Sequence, residues 1–84
     1  MRSLGKLDVM ACILENSVKG SRRTKLMFKC NLKLLDFSKY EDVAAEAGLL
    51  TVSRRKDGVQ ILVATETGER FLRTYREVQE ILNR

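Results

Sequence analysis

Histidine is absent from this 84-residue chain, and with it goes the side chain that most often moves protons near neutral pH. The only cysteines, Cys12 and Cys30, form no Cys-x-x-Cys pair and, without histidine, cannot supply the four ligands of a structural zinc site. They read as small buried hydrophobes in a reducing compartment. There is no glycine-rich phosphate loop and no nucleophile elbow, so the familiar nucleophilic and phosphate-binding constellations have no members. A chain this short builds one modest core, too small to enclose a sizeable active site. The expectation is a protein that is not an enzyme, with no cofactor, metal or small-molecule substrate. No apolar run approaches the roughly 20 residues of a membrane-spanning helix, and the N-terminus lacks a signal-peptide core. A cytoplasmic location with no membrane partner follows as a further expectation.

What is present is positive charge. Sixteen Lys and Arg stand against eleven Asp and Glu, a formal net charge of +5, which favours an anionic partner such as nucleic acid. The excess is concentrated: between Lys19 and Lys33 there are six cations, Lys19, Arg22, Arg23, Lys25, Lys29 and Lys33, and no acid.

Hydrophobic spacing predicts three helices. Over residues 4–18, Leu7, Met10, Ile13, Leu14 and Val18 recur at three and four, with Gly20 suited to a left-handed cap. Over residues 22–31, Leu26, Met27 and Cys30 face inward while Arg22, Arg23, Lys25 and Lys29 face water. Over residues 34–47, Phe37, Tyr40, Ala44 and Ala47 share one side and Gly48 closes the helix. Lys33 is a poor N-cap residue, which predicts that Asp36 caps this helix from a shifted start.

The period then drops to two. With Asp57-Gly58 as the centre of a two-residue type I′ turn, Lys56 faces Val59, Arg54 faces Ile61 and Val52 faces Val63. That register puts Leu50, Val52, Ile61 and Val63 on one face, and Thr51, Ser53, Arg55 and Gln60 on the other. Arg54, Arg55 and Lys56 crowd the tip. A last helix starts at Thr65 or Thr67 and runs to about Asn83, with Glu66 and Glu69 in its first turn, where the dipole favours acid. Phe71, Tyr75, Val78 and Leu82 follow a heptad seam, widened by Leu72 and Ile81.

Three helices, a two-stranded hairpin and a further helix make a mostly helical α+β chain in the order of a winged helix-turn-helix. Residues 1–84 read as a single domain, with residues 65–83 as an added C-terminal helix that mediates dimerisation. In such a fold the third helix lies against the major groove, the second crosses the backbone, and the wing touches phosphates or the minor groove.

Three stretches carry a family likeness: "TKLMFKCNL" (Thr24 to Leu32), "KYEDVAAEAGLL" (Lys39 to Leu50) and "ATETGERFLRTYREV" (Ala64 to Val78). They resemble the archaeal winged-helix family that includes the ten-kilodalton chromatin-associated DNA-binding proteins. The resemblance implies a nucleoid-associated archaeal or archaeal-virus protein, a transcriptional regulator or chromatin component, that binds double-stranded DNA as a homodimer through its last helices, as a coiled coil. The expected DNA contacts are Arg22, Arg23, Lys25, Lys29, Lys33, Ser38, Lys39, Arg54, Arg55 and Lys56, with Ser38 and Lys39 nearest base edges. Tyr75, Val78, Ile81 and Leu82 are the expected dimer contacts.

Glu41, Ala44 and Ala45 stand where the family tends to have leucines, and the outward stripe of the third helix is Leu35, Lys39, Asp42 and Glu46, flanked by Asp36 and Glu41. Carboxylates repel phosphates, so an alternative expectation is a winged-helix module whose acidic third helix docks a basic protein.

Overall fold

A computed structural model describes residues 5–83. In chain order the elements are α1 (Lys6–Glu15), α2 (Arg23–Lys29), α3 (Leu34–Glu46), β1 (Leu50–Arg54), β2 (Gln60–Ala64) and α4 (Glu66–Leu82). Three helices, a two-stranded antiparallel wing and a closing helix give the expected mostly helical α+β architecture. The core is drawn from every element: Ile13 and Leu14 of α1, Leu26 of α2, Phe37 and Ala44 of α3, Leu50 and Leu62 of the wing, and Leu72 of α4. None of the described helices is long and apolar enough to cross a membrane.

Helix α1 ends sooner than the spacing predicts. The Ser17 hydroxyl, fully buried, turns back to donate to the Ile13 and Leu14 carbonyls at 2.8 and 3.2 Å, and Asn16 Nδ2 donates to the Cys12 carbonyl at 2.8 Å. The Ser17 hydroxyl thereby meets the Ile13 carbonyl in place of a further helical turn, while the Cys12 and Leu14 carbonyls also accept the Asn16 and Ser17 backbone N–H groups at 3.1 Å. The inward stripe keeps Met10, Ile13 and Leu14 but takes Val9 and Ala11, whereas Leu7 is exposed and Val18 only half-buried. Leu4, at the expected helix start, lies outside the described residues. Gly20 takes the left-handed conformation (φ 93°) not as a cap of α1 but as it enters an extended bridge. Its backbone lies against β2, where a Cβ would stand 2.9 Å from Ile61 Cγ2. The next residue, Ser21, exchanges both backbone hydrogen bonds with Leu62, at 2.9 and 2.7 Å, so β2 is bonded on both edges.

The wing forms where expected but in a different register. Arg55 N–H donates to the Val59 carbonyl and Gly58 N–H to the Arg55 carbonyl, both at 2.9 Å. The loop is therefore three residues, Lys56 to Gly58, with Gly58 at φ 85°, the arrangement of a type I turn followed by a left-handed residue. One extra loop residue shifts every pair by one: Arg54 faces Gln60, Ser53 faces Ile61, Val52 faces Leu62 and Leu50 faces Ala64. The core-facing set becomes Leu50, Leu62 and Ala64. Ile61 and Val63 move to the opposite face, half-buried under the Gly20 backbone. Val52 stays in line with Leu50 but is 46% exposed, although its partner Leu62 is fully buried.

The cysteines also depart from expectation. Cys12 and Cys30 are not separate buried thiols; they form a disulfide, with their Cα atoms 6.0 Å apart. The cause is tertiary: α1 and α2 share one core, with Ile13 and Leu26 both fully buried in it, and the half-buried Cys12 meets Cys30 at the end of α2. A linear spacing carries no information on that approach.

Helix α4 starts at Thr65, whose hydroxyl oxygen accepts the Gly68 N–H at 3.0 Å while its own proton goes to the Gly48 carbonyl. Gly68 is required there, because a Cβ would run into the Leu49 carbonyl, a backbone atom that the Thr65 N–H already holds at 2.9 Å. Further along, Tyr75 stacks on Phe71 with ring centroids 6.3 Å apart and donates to the Asp8 carboxylate of α1. That carboxylate favours the protonated phenol and raises its pKa.

Candidate nucleic-acid interface

Helix α2 is shorter than predicted because a Schellman motif stops it. Asn31 adopts a left-handed conformation (φ 55°), Leu32 N–H donates to the Met27 carbonyl at 2.9 Å, and Asn31 N–H donates to Phe28 at 3.3 Å. Asparagine tolerates that backbone better than any β-branched residue, and Leu32 after it packs on the core. This turn sets the angle at which α3 leaves α2. Helix α3 begins directly at Leu34 with Lys33 as its N-cap residue and no side-chain cap, so Asp36 neither caps it nor shifts its start; it sits in the first turn instead. On the inward face Phe37 and Ala44 are buried and Tyr40 half-buried, but Ala47 is exposed.

Arg22, Lys25, Lys29, Lys33 and Lys39 are all exposed, and none is ion-paired within the described residues. Arg23, expected to face water, behaves differently. Its Nε donates to both Glu41 oxygens at 2.9 and 3.1 Å, one terminal nitrogen donates to Glu41 Oε2 at 2.6 Å, and the other reaches Gln60 Oε1. This fork ties α2 to α3 and to β2, and the hydrogen bonds that Arg23 donates to Glu41 raise the arginine pKa further. Arg23 is thereby spent on architecture, and Glu41 is withdrawn from the acidic stripe. The hint in the sequence was Glu41 itself, an acid on a helix position where the family tends to have leucine.

At the wing, Arg54 and Lys56 are exposed, with Arg54 bonded only to the Gly58 carbonyl at 3.3 Å. Arg55 pairs with Asp57 at 2.7 Å. The Asp57 carboxylate also accepts the Val59 N–H at 3.0 Å, and that bond, more than the arginine, holds its pKa below the ordinary value. Along α3, Ser38 is half-buried and Lys39, Asp42 and Glu46 are exposed. The helix thus carries one acid and one cation, Asp36 and Lys39, in its N-terminal half and three acids, Glu41, Asp42 and Glu46, in its C-terminal half. Two leucines of its first turn, Leu34 and Leu35, are also exposed, as is Phe28 of α2.

Of the expected dimer contacts, Tyr75 is half-buried and engaged with Asp8, while Val78, Ile81 and Leu82 are exposed. Val78 and Leu82, with Phe71, Tyr75 and Leu7, line an open and mainly apolar groove of about 600 Å³ between α1 and α4.

Helix, tight turn and helix, followed by a basic hairpin packed on the same core, define a winged helix-turn-helix. The chain belongs to the winged helix-turn-helix family, whose model matches residues 3–83; the family is non-enzymatic. Its fold is similar to that of Sso10a-2, a DNA-binding protein from Sulfolobus solfataricus, with TM-score 0.83 and 23% identity over 94% of this chain and 82% of that one. It is also similar to ZitR from Lactococcus lactis, solved as a point mutant, with TM-score 0.66 and 23% identity over 95% of this chain and 65% of that one. The likeness to archaeal winged-helix proteins read from the three quoted stretches is met by the first of these folds. No curated protein matches the chain.

Proposed function

We propose that this protein binds double-stranded DNA, as a transcriptional regulator or chromatin-associated factor of an archaeal nucleoid, and that most of its affinity comes from phosphate contacts. One observation carries the reading: on a helix-turn-helix scaffold, Arg22, Lys25, Lys29, Lys33 and Lys39 are exposed and unpaired among the described residues. Cations so placed release counterions from a duplex without reading its sequence. Arg54 and Lys56 extend the set at the wing, and Ser38 and Lys39 are our candidates for base edges, a reading supported by their position on α3. The DNA-binding character of Sso10a-2 supports the assignment. A disulfide does not argue against a cytoplasmic nucleoid, because intracellular proteins of hyperthermophilic archaea are rich in them.

We further propose a homodimer in which a second copy covers the exposed strip of Val78, Ile81 and Leu82 as a short coiled coil, with Tyr75 at its inner margin. Replacing those three aliphatic residues by serine should give a monomer in sedimentation equilibrium.

The exposed Asp42 and Glu46 keep a second reading open, in which α3 docks a basic protein; with Glu41 held by Arg23, its acidic surface is smaller than the sequence implied. Fluorescence anisotropy with a 20-base-pair duplex at low ionic strength separates the two. Under the first reading the protein binds, and Asp42→Lys with Glu46→Lys binds more tightly because α3 approaches phosphates. Absence of binding at low salt would falsify the first reading.

A further inference from the structure

The first turn of α3 carries an apolar feature that phosphate binding does not explain. Leu34 and Leu35 are 62% and 77% exposed, and the cations Lys25, Lys29, Lys33 and Lys39 flank them in sequence on α2, the turn and α3. Exposed leucines with exposed lysines before and after them on a helix-turn-helix call for a partner that is anionic and apolar at once. A second copy of the chain fits poorly, since its own lysines would face these lysines.

We propose that Leu34 and Leu35 are specificity-determining residues that read the C5-methyl groups of thymine in the major groove. This rests on the DNA-binding reading above. Residues in the N-terminal turns of the second helix of a helix-turn-helix are the ones that meet base edges. A leucine has no donor or acceptor, so it cannot recognise guanine, cytosine or adenine through their hydrogen-bonding patterns. Thymine alone offers a methyl group in that groove. Asp36, the one acid of the same turn, lies about 100° around the helix from Leu35 and stabilises the positive end of the helix dipole. Lysines around the leucines hold the phosphates on either side, and the leucines exclude water from the methyl face between them.

The test compares an A·T-rich 20-base-pair duplex with the same duplex carrying deoxyuridine for every thymine, in anisotropy titrations at one fixed low salt concentration. Phosphate number and base pairing are identical in the two. The protein is expected to bind the uracil duplex more weakly, by about fourfold for each methyl group it buries. The Leu34→Ser, Leu35→Ser double variant, its helix content checked by circular dichroism, is expected to bind both duplexes with the affinity that the unmutated protein has for uracil. Equal binding of the two duplexes by the unmutated protein overturns the inference and leaves the DNA-binding reading standing. A variant that still prefers thymine also overturns it, because duplex shape would then be the cause. Binding to neither duplex removes both.

Discussion

The helix-turn-helix unit and the wing are both basic, yet they are secured in different ways. Helix α2 is fastened at both ends, through Arg23 to Glu41 of α3 and Gln60 of β2, and through the Cys12–Cys30 disulfide to α1. The tip of the wing has only its own turn, closed by Asp57 on the Val59 amide and on Arg55. Each region gives up one arginine to internal order, Arg23 in the first and Arg55 in the second. The difference is burial: the Arg23–Glu41 pair is partly shielded and joins three elements, whereas the Arg55–Asp57 pair is solvent-exposed and joins two residues of one loop. Exposed pairs contribute little to stability, and shielded, multiply bonded ones contribute more. The helix-turn-helix is therefore the more firmly tied of the two regions, and the wing tip the less.

That contrast can be broken at several points. Reducing the disulfide, or replacing both cysteines by serine, should lower the unfolding free energy by about 3 kcal/mol, the usual magnitude for a loop of this length, as measured by urea unfolding with and without reductant. Arg23→Ala should cost about 1 to 2 kcal/mol, discounted because its side chain is 35% exposed. Glu41→Ala should cost a similar amount, and the double variant less than the sum. An additive result would mean that the fork does not couple α2 to α3. Arg54→Ala with Lys56→Ala should leave stability within about 0.5 kcal/mol and weaken duplex binding a few-fold, equally on unrelated sequences. The smallest effect concerns acid. Because the folded pKa of Asp57 is depressed, its contribution to the wing is present above the ordinary carboxylate range and lost as pH falls through the folded value. Hydrogen exchange of the Val59 amide should accelerate there relative to Leu26 in α2.

Much of this architecture was readable in the residues, and the failures have identifiable causes. The apolar spacing of α4 and a threonine cap at Thr65 or Thr67, of which the structure uses Thr65, were legible because spacing and capping are local. The existence of the wing was legible from Asp57-Gly58, but its register was not. Ile61, Leu62, Val63 and Ala64 are consecutive apolar residues, so the strand has no phase of its own, and a glycine with positive φ serves a two-residue or a three-residue loop equally. Arg23 looked like its neighbours, because whether a cation meets phosphate or carboxylate depends on which helix position of α3 lies beside it. The disulfide was hidden for the same reason: the approach of Cys12 to Cys30 is a consequence of packing.

In the proposed function, polyanion attraction under α2 and the start of α3 holds the duplex. Its most direct test is the dependence of duplex affinity on salt for the unmutated protein and for the Arg22→Ala, Lys25→Ala, Lys29→Ala variant. A steep linear fall of log K with log salt is expected, with the slope reduced by about 2 to 3 in the variant. A flat dependence in the unmutated protein, or an unchanged slope in the variant, would contradict it.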